Sequence, residues 1–168
     1  MAKKSGGLNK KMYRLLLEYL KDSDRSDGEI AKIIGVSQPT VSRMKSKLLK
    51  EGYVTHFSAF PDFGKMGYEI MAFSFVKFNL DMVRENEDVS MAWVAQHPCI
   101  IFSSRAEGMG IDAVTVSMHK TYADFRKFVN ANREQWGKFM VKSHHVLVDM
   151  KSEFTKLYSF RYLADCEE

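Results

Sequence analysis

The sequence predicts an α+β protein. It reads as a winged helix-turn-helix over residues 1–60, a linker at 61–66, a ferredoxin-like βαββαβ domain at 67–150 and a C-terminal extension at 151–168. Three observations carry that prediction. Apolar residues recur with helical period through the first fifty positions, the pattern changes after Pro61 to strands alternating with helices, and charge is unevenly spread. Residues 1–58 hold 12 Lys and Arg against 6 Asp and Glu, whereas residues 59–168 hold 13 against 15. The basic character belongs to one end, and a polyanion is the natural partner for that end, because cations placed near phosphates release counterions.

Composition excludes several classes. With 45% hydrophobic and 27% charged residues among 168, the chain is neither disordered nor fibrous in character. No apolar core of a secretory leader follows Lys3 and Lys4, and the most apolar stretch, 68–78, is too short to span a bilayer, so a cytoplasmic protein without membrane attachment is expected. Cys99 and Cys166 are far apart and fit no metal spacing, so neither a disulfide nor a zinc framework is expected.

Met12, Leu15, Leu16, Tyr19 and Leu20 form one apolar stripe, which predicts a helix over 9–21. After the polar break 22–26, a short helix over 27–34 is expected to turn Ile30, Ile33 and Ile34 inward. Gly35 ends it, since glycine accepts the positive φ of a helix C-terminus. Ser37 is placed to cap a third helix that starts at Gln38 with Pro39 in its first turn and runs to about Glu51. Helix, short glycine turn, helix is the helix-turn-helix pattern. With Val41, Met44 and Leu48 inward, the outward side carries Pro39, Ser42, Arg43, Ser46, Lys47 and Lys50, flanked by Gln38 and Thr40. These eight are the candidate DNA contacts, with Arg43 suited to guanine and Lys47 and Lys50 to phosphate. Residues 53–60 are expected to form the strand of a wing.

Beyond the linker, the predicted order is a strand at 68–79, a helix at 88–96 ended by Pro98, strands at 99–106 and 111–118 around the turn Gly108-Met109-Gly110, a helix opened by Thr121 and Asp124, and a strand at 141–150. Tyr122, Phe125, Val129, Asn132 and Trp136 mark the buried face of that second helix. Apolar residues occupy both faces of the sheet, Phe73 and Phe75 alternating with Val76 and Phe78, so the face without helices needs a cover. A second copy is the expected cover, and the segment 154–163 folding back is the alternative.

The stretches 29–37 (EIAKIIGVS), 41–44 (VSRM) and 48–54 (LLKEGYV) resemble those of the Lrp/AsnC, or feast/famine, family of prokaryotic transcription regulators, and Gly67 and the Gly108–Asp112 hairpin fit as well. The resemblance covers nearly the whole chain. It implies a homodimer built through βαββαβ domains, often assembled to octamers, with an amino acid or similar effector bound near Gly108, Gly110 and Asp112. Asn9 and Lys10–Met12 stand where an acidic pair commonly opens the first helix, and the tail after Lys151 is longer than usual. Siroheme decarboxylases are similar in architecture, which raises an enzyme reading through His144 and His145. Neighbours on a strand point to opposite faces, so they cannot serve one substrate. Metal sensing through His97, Cys99, His119 or His144 is a further alternative. The expectation is a DNA-binding regulator without catalytic residues, metal or cofactor.

Overall fold

The computed structural model describes residues 8–79 and 87–167. The chain divides into two compact units, Met1–Phe60 with Thr155–Glu168, and Pro61–Phe154.

In the first unit α1 spans Lys10–Lys21, α2 Asp27–Ile34 and α3 Gln38–Lys50. Asn9 caps α1, its side-chain oxygen accepting from the Met12 N–H. Ser26 and Glu29 form a reciprocal capping box on α2, and these hydrogen bonds hold the Glu29 carboxyl below its usual range. Gly35 ends α2 at φ 75°, a conformation a Cβ would strain. Met12, Leu15 and Tyr19 of α1, Ile30, Ala31 and Ile34 of α2, and Val41 and Leu48 of α3 form the core, with Met44 and Val54 packed against it. Ile33, expected inside, faces solvent while Ala31 takes its place. An eight-residue helix crossing two neighbours buries the side of 30, 31 and 34, and 33 lies off that side.

The expected wing strand is absent: residues 54–60 belong to no strand. The segment is held by aromatic packing instead. The Phe57 ring meets Tyr19 edge-on at 5.0 Å, and the Lys45 ammonium lies 4.8 Å from the Phe57 centroid and 5.3 Å from that of Tyr19. Residues 155–167, most of the segment expected as the alternative cover, group with this unit and end in the short helix Arg161–Cys166.

The second unit is a four-stranded antiparallel sheet of β1 Ile70–Phe78, β2 Ile100–Gly108, β3 Ile111–His119 and β4 Met140–Asp149, in the order β2-β3-β1-β4. Helices α4 Glu87–Ala95 and α5 Tyr122–Trp136 complete the βαββαβ sequence, which is the arrangement the pattern predicts. The expected linker at 61–66 lies inside this unit as a turn, with the Asp62 carbonyl accepting from the Met66 N–H and its carboxylate from the Lys65 N–H. Thr121 caps α5 by accepting from the Asp124 N–H, and the helix buries Phe125, Phe128 and Trp136. Phe128 was not expected on that face, and Tyr122, which was, is exposed.

The two sheet faces differ in chemistry. Under α5 the central strands present small or polar groups, Ala72, Ser74 and Val76 of β1 and Ser117 of β3, all buried. Ser74 is hydrogen-bonded to His145 Nδ1 at 2.9 Å and Ser117 to His119 Nε2 at 2.8 Å, so the buried polar atoms are satisfied. Phe125 stands edge-on to both imidazoles, 5.5 Å from each. The opposite face carries Phe73 and Phe75 of β1 beside Val116 and Val114 of β3, flanked by the exposed Phe102 of β2 and Val146 of β4.

Burial lowers the pKa of both histidines from the usual 6.5; for His145 the charges of His144 and Arg133 act in the same direction, and for His119 Asp124 opposes it. The unfolded chain therefore binds more protons just below pH 6.5, so this contribution to stability is complete above that pH and is lost as pH falls beneath it. Thermal unfolding is expected to show a lower midpoint at pH 5 than at pH 7.5, with part of the difference removed by His145→Gln. An identical pH dependence in that variant would contradict the assignment.

Candidate nucleic-acid interface

The candidate interface is the outward side of α3, and its geometry follows from how α3 is held. A three-residue turn, Gly35 to Ser37, joins it to α2, and Val41 and Leu48 are fully buried against the core. Pro39 occupies the first turn, where its missing N–H costs nothing. Ser37 sits at the N-cap position in extended conformation but makes no side-chain cap. Its hydroxyl pairs instead with Thr40 Oγ1 at 2.8 Å, a neighbour that competes for the same oxygen.

All eight predicted contacts lie together on this helix. Gln38, Pro39, Ser42, Arg43, Ser46, Lys47 and Lys50 are exposed and Thr40 half-buried. Arg43 folds back along its own helix, Nε donating to the Pro39 carbonyl at 3.3 Å and an Nη to Thr40 Oγ1 at 3.5 Å. Neither partner is charged, so little holds it from a stronger acceptor. Ser46 donates to the Ser42 carbonyl at 3.0 Å. Lys47 stands 3.7 Å from Glu51 one turn on, an exposed pair that a phosphate would outbid.

Sequence reasoning missed Asp27. The outer side of α3 has no acid in its first turns, but Asp27, at the start of α2, accepts a 2.8 Å hydrogen bond from Ser42 Oγ. The interface therefore holds one carboxylate that no periodicity within α3 reveals. An acid at the start of α2 suits the positive end of that helix, but nothing local to the sequence pairs it with Ser42. Nearby, burial and the Asp27 carboxylate push the Tyr19 phenol up to about 12, so it stays neutral.

At the hairpin joining β2 and β3, Met109 and Gly110 both have positive φ, at 53° and 69°, the backbone of a two-residue turn suited to the twist of paired strands. Met109 is wholly exposed at the tip. Asp112 is already engaged: Oδ2 accepts from the Phe78 N–H at 2.8 Å and Oδ1 lies 3.7 Å from Lys77 Nζ, fastening β3 to the end of β1. A cavity of about 400 Å³ lies at the other end of β1, lined by Glu69, Ile70, Leu147, Val148, Asp149 and Lys151.

The residues raised for metal or enzyme chemistry do not converge. His144 pairs with Phe75 and His145 with Ser74, on opposite faces of the sheet, and His97 donates from Nδ1 to the Trp93 carbonyl at 2.7 Å. Burial pushes the Cys99 thiol up, away from the thiolate that metals bind. Among the described residues no three His, Cys, Asp or Glu side chains are grouped to hold a metal ion, and no helix is long and apolar enough to cross a membrane.

Known proteins resemble the chain in both units. Residues 18–58 match the family model for the N-terminal DNA binding domain of iron dependent repressors. The chain is 40% identical over 72 residues to an uncharacterized HTH-type transcriptional regulator of Pyrococcus furiosus, a match covering 43% of this chain and about half, 49%, of that relative. A second such regulator of P. furiosus is 26% identical over 147 residues, covering 88% of this chain and 94% of the relative. The structure is similar to that of an AsnC family transcriptional regulator from Agrobacterium tumefaciens, with TM-score 0.68 and 16% identity over 93% of this chain and 99% of the other. It is also similar to a transcriptional regulator from Neisseria meningitidis solved in complex with L-Met, with TM-score 0.73 and 15% identity over 94% and 99%. The fold is that of the AsnC and Lrp regulators.

Proposed function

We propose that this chain, with its AsnC/Lrp architecture, is a sequence-specific DNA-binding transcription regulator that acts as a homodimer and responds to a small effector such as an amino acid. The observation that carries the proposal is the outer side of α3: exposed, cationic, delivered by a short glycine turn, and lying within the segment that matches a DNA-binding family model. In the proposed complex α3 enters the major groove. Arg43 swings off the Pro39 carbonyl to the edge of a base, Gln38, Pro39, Thr40, Ser42 and Ser46 line the approach, and Lys47 and Lys50 meet phosphates. Asp27 restrains Ser42 and disfavours misplaced phosphate. The chain is read as a regulator and not an enzyme, because His145 is spent on Ser74 and His144 points the other way.

The dimer is supported by the uncovered sheet face, whose large apolar residues exceed in bulk those beneath the helices. A monomer that left Phe73, Phe75, Phe102 and Val146 to water would forgo roughly 25 cal/mol per Å² of the area removed. Two copies packed by these faces bring two α3 helices to half-sites of one operator. For the effector, the L-Met complex of the Neisseria protein supports an amino acid, and Gly108, Gly110 and Asp112 are the proposed border of its site.

Arg43→Ala is expected to cost about 1–3 kcal/mol in operator binding and to relax base preference, whereas Lys47→Ala should weaken all DNA alike and lower the salt slope by about one, as gel-shift or anisotropy titrations would show. Matching behaviour of the two variants would defeat the assignment of roles. Val146→Asp, on the exposed edge of the apolar face, is expected to yield a monomer in sedimentation analysis at micromolar concentration, and a surviving dimer would refute the proposed packing. A thermal-shift panel of the common amino acids should raise the unfolding midpoint for at least one of them, and a flat panel counts against the effector.

A further inference from the structure

The chain passes between its two units twice, at Phe60–Pro61 and at Phe154–Thr155. Both crossings leave the sheet at one corner. There the Met150 N–H donates to the Glu69 carbonyl at 2.8 Å, Lys151 Nζ lies 2.6 Å from Glu69 Oε1, and Gly64 approaches so closely that a Cβ on it would stand 2.9 Å from the Met150 carbonyl oxygen. The segment that departs ends in α6, Arg161–Cys166, which packs along α1.

The side of α1 it meets is the one the three-helix core leaves over. Met12, Leu15 and Tyr19 face α2 and α3. Tyr13 and Leu17, one turn apart, lie about half a revolution from Leu15 at 100° per residue, so they face away from that core. Leu17 is nevertheless buried, Ala164 of α6 is fully buried, and the Tyr13 hydroxyl donates to Glu167 Oε2 at 2.7 Å. Phe60 and Tyr158 stack at 5.0 Å on the same unit. Helix α1 is thus sandwiched between the α2–α3 pair and the tail.

We infer that residues 155–167 form the fourth element of the DNA-binding unit and that Ala164, Tyr13 and Glu167 are positioning residues, holding α1 against α2 and α3 and so setting the presentation of the recognition helix. The inference rests on the DNA-binding reading of α3. A twelve-residue helix is marginal alone and is ordered by the faces it buries. Removing the tail strips one of the two faces of α1, and α3 then loses the backing that Leu15 supplies. The tail joins the sheet unit at Phe154–Thr155, a covalent link separate from the one at Phe60–Pro61.

The test uses full-length protein, with hydrogen exchange of α1 and DNA affinity read in parallel. Ala164→Asp, which sets a carboxylate in a closed slot, is expected to speed α1 exchange about tenfold or more and to weaken DNA binding by roughly five- to fiftyfold, while Ala164→Ser stays near wild type. Base preference, salt slope, sheet exchange and dimerisation should not change, which separates positioning from lost contacts or global unfolding. Unaltered α1 exchange in Ala164→Asp would overturn the docking, and faster exchange with unaltered affinity would overturn the positioning role. Should Ala164→Asp fail to fold, a double-mutant cycle of Tyr13→Phe and Glu167→Gln decides: coupled effects on α1 exchange support the proposal and additive ones overturn it. A wild-type chain that binds no DNA would instead sink the regulator reading, with the exchange result still reporting on the docking.

Discussion

A helix has one side to bury, and the side it buries decides what it shows. Val41 and Leu48 are fully buried in the core that also holds Leu15 of α1 and Ile30 of α2, and that burial commits α3 to a single rotation about its axis. Arg43, Ser46, Lys47 and Lys50 are outward because these two are inward. The Gly35 turn sets where α3 begins, and the Ser42–Asp27 hydrogen bond ties its second turn to α2. The cationic surface is thus a by-product of the packing, displayed rigidly by residues that never touch a partner.

The sheet obeys a different period with the same logic. Successive side chains alternate between faces, so the run Ala72 to Val76 sends small groups under α5 and Phe73 and Phe75 to the other side. The covered face is unusual in holding two histidine–serine pairs. These are tolerated because each ring nitrogen finds a hydroxyl and each imidazole packs against Phe125, leaving burial to act only on their protonation. The opposite face carries the bulkier side chains, Phe73 and Phe75 beside Val116 and Val114.

Charge within the first unit is spent partly on its own packing. Basic residues collect in the first 58 positions, yet the most buried charge there is an acid, Glu18, paired with Arg25 and Lys21. Those contacts hold the α1–α2 break closed and spend two cations of the basic end internally. The tail returning to α1 adds the acidic Glu167 beside Tyr13, whose phenol it raises above the usual value, largely by accepting its hydrogen bond.

Local signals proved legible wherever one residue governs one conformation. Gly35, Pro39, Thr121 and the Gly108–Gly110 turn mark element ends because caps, positive φ and missing N–H groups act within a few bonds. The periods 3.6 and 2 then gave the element order and the outer side of α3. The wing failed as a prediction because 53–60 has strand-like composition, and a strand exists only if a neighbour supplies the ladder. Aromatic contacts with Tyr19 and Lys45 took the segment instead. Ile33 and Phe128 were misplaced because the width of a buried stripe depends on how many neighbours a helix meets. Asp27 beside Ser42, Asp112 on the end of β1 and α6 against the back of α1 lay beyond reach altogether. Each joins residues 15 to 154 positions apart, and the sequence alone determines which conformation a residue favours, whereas only the folded chain decides which distant residue it meets.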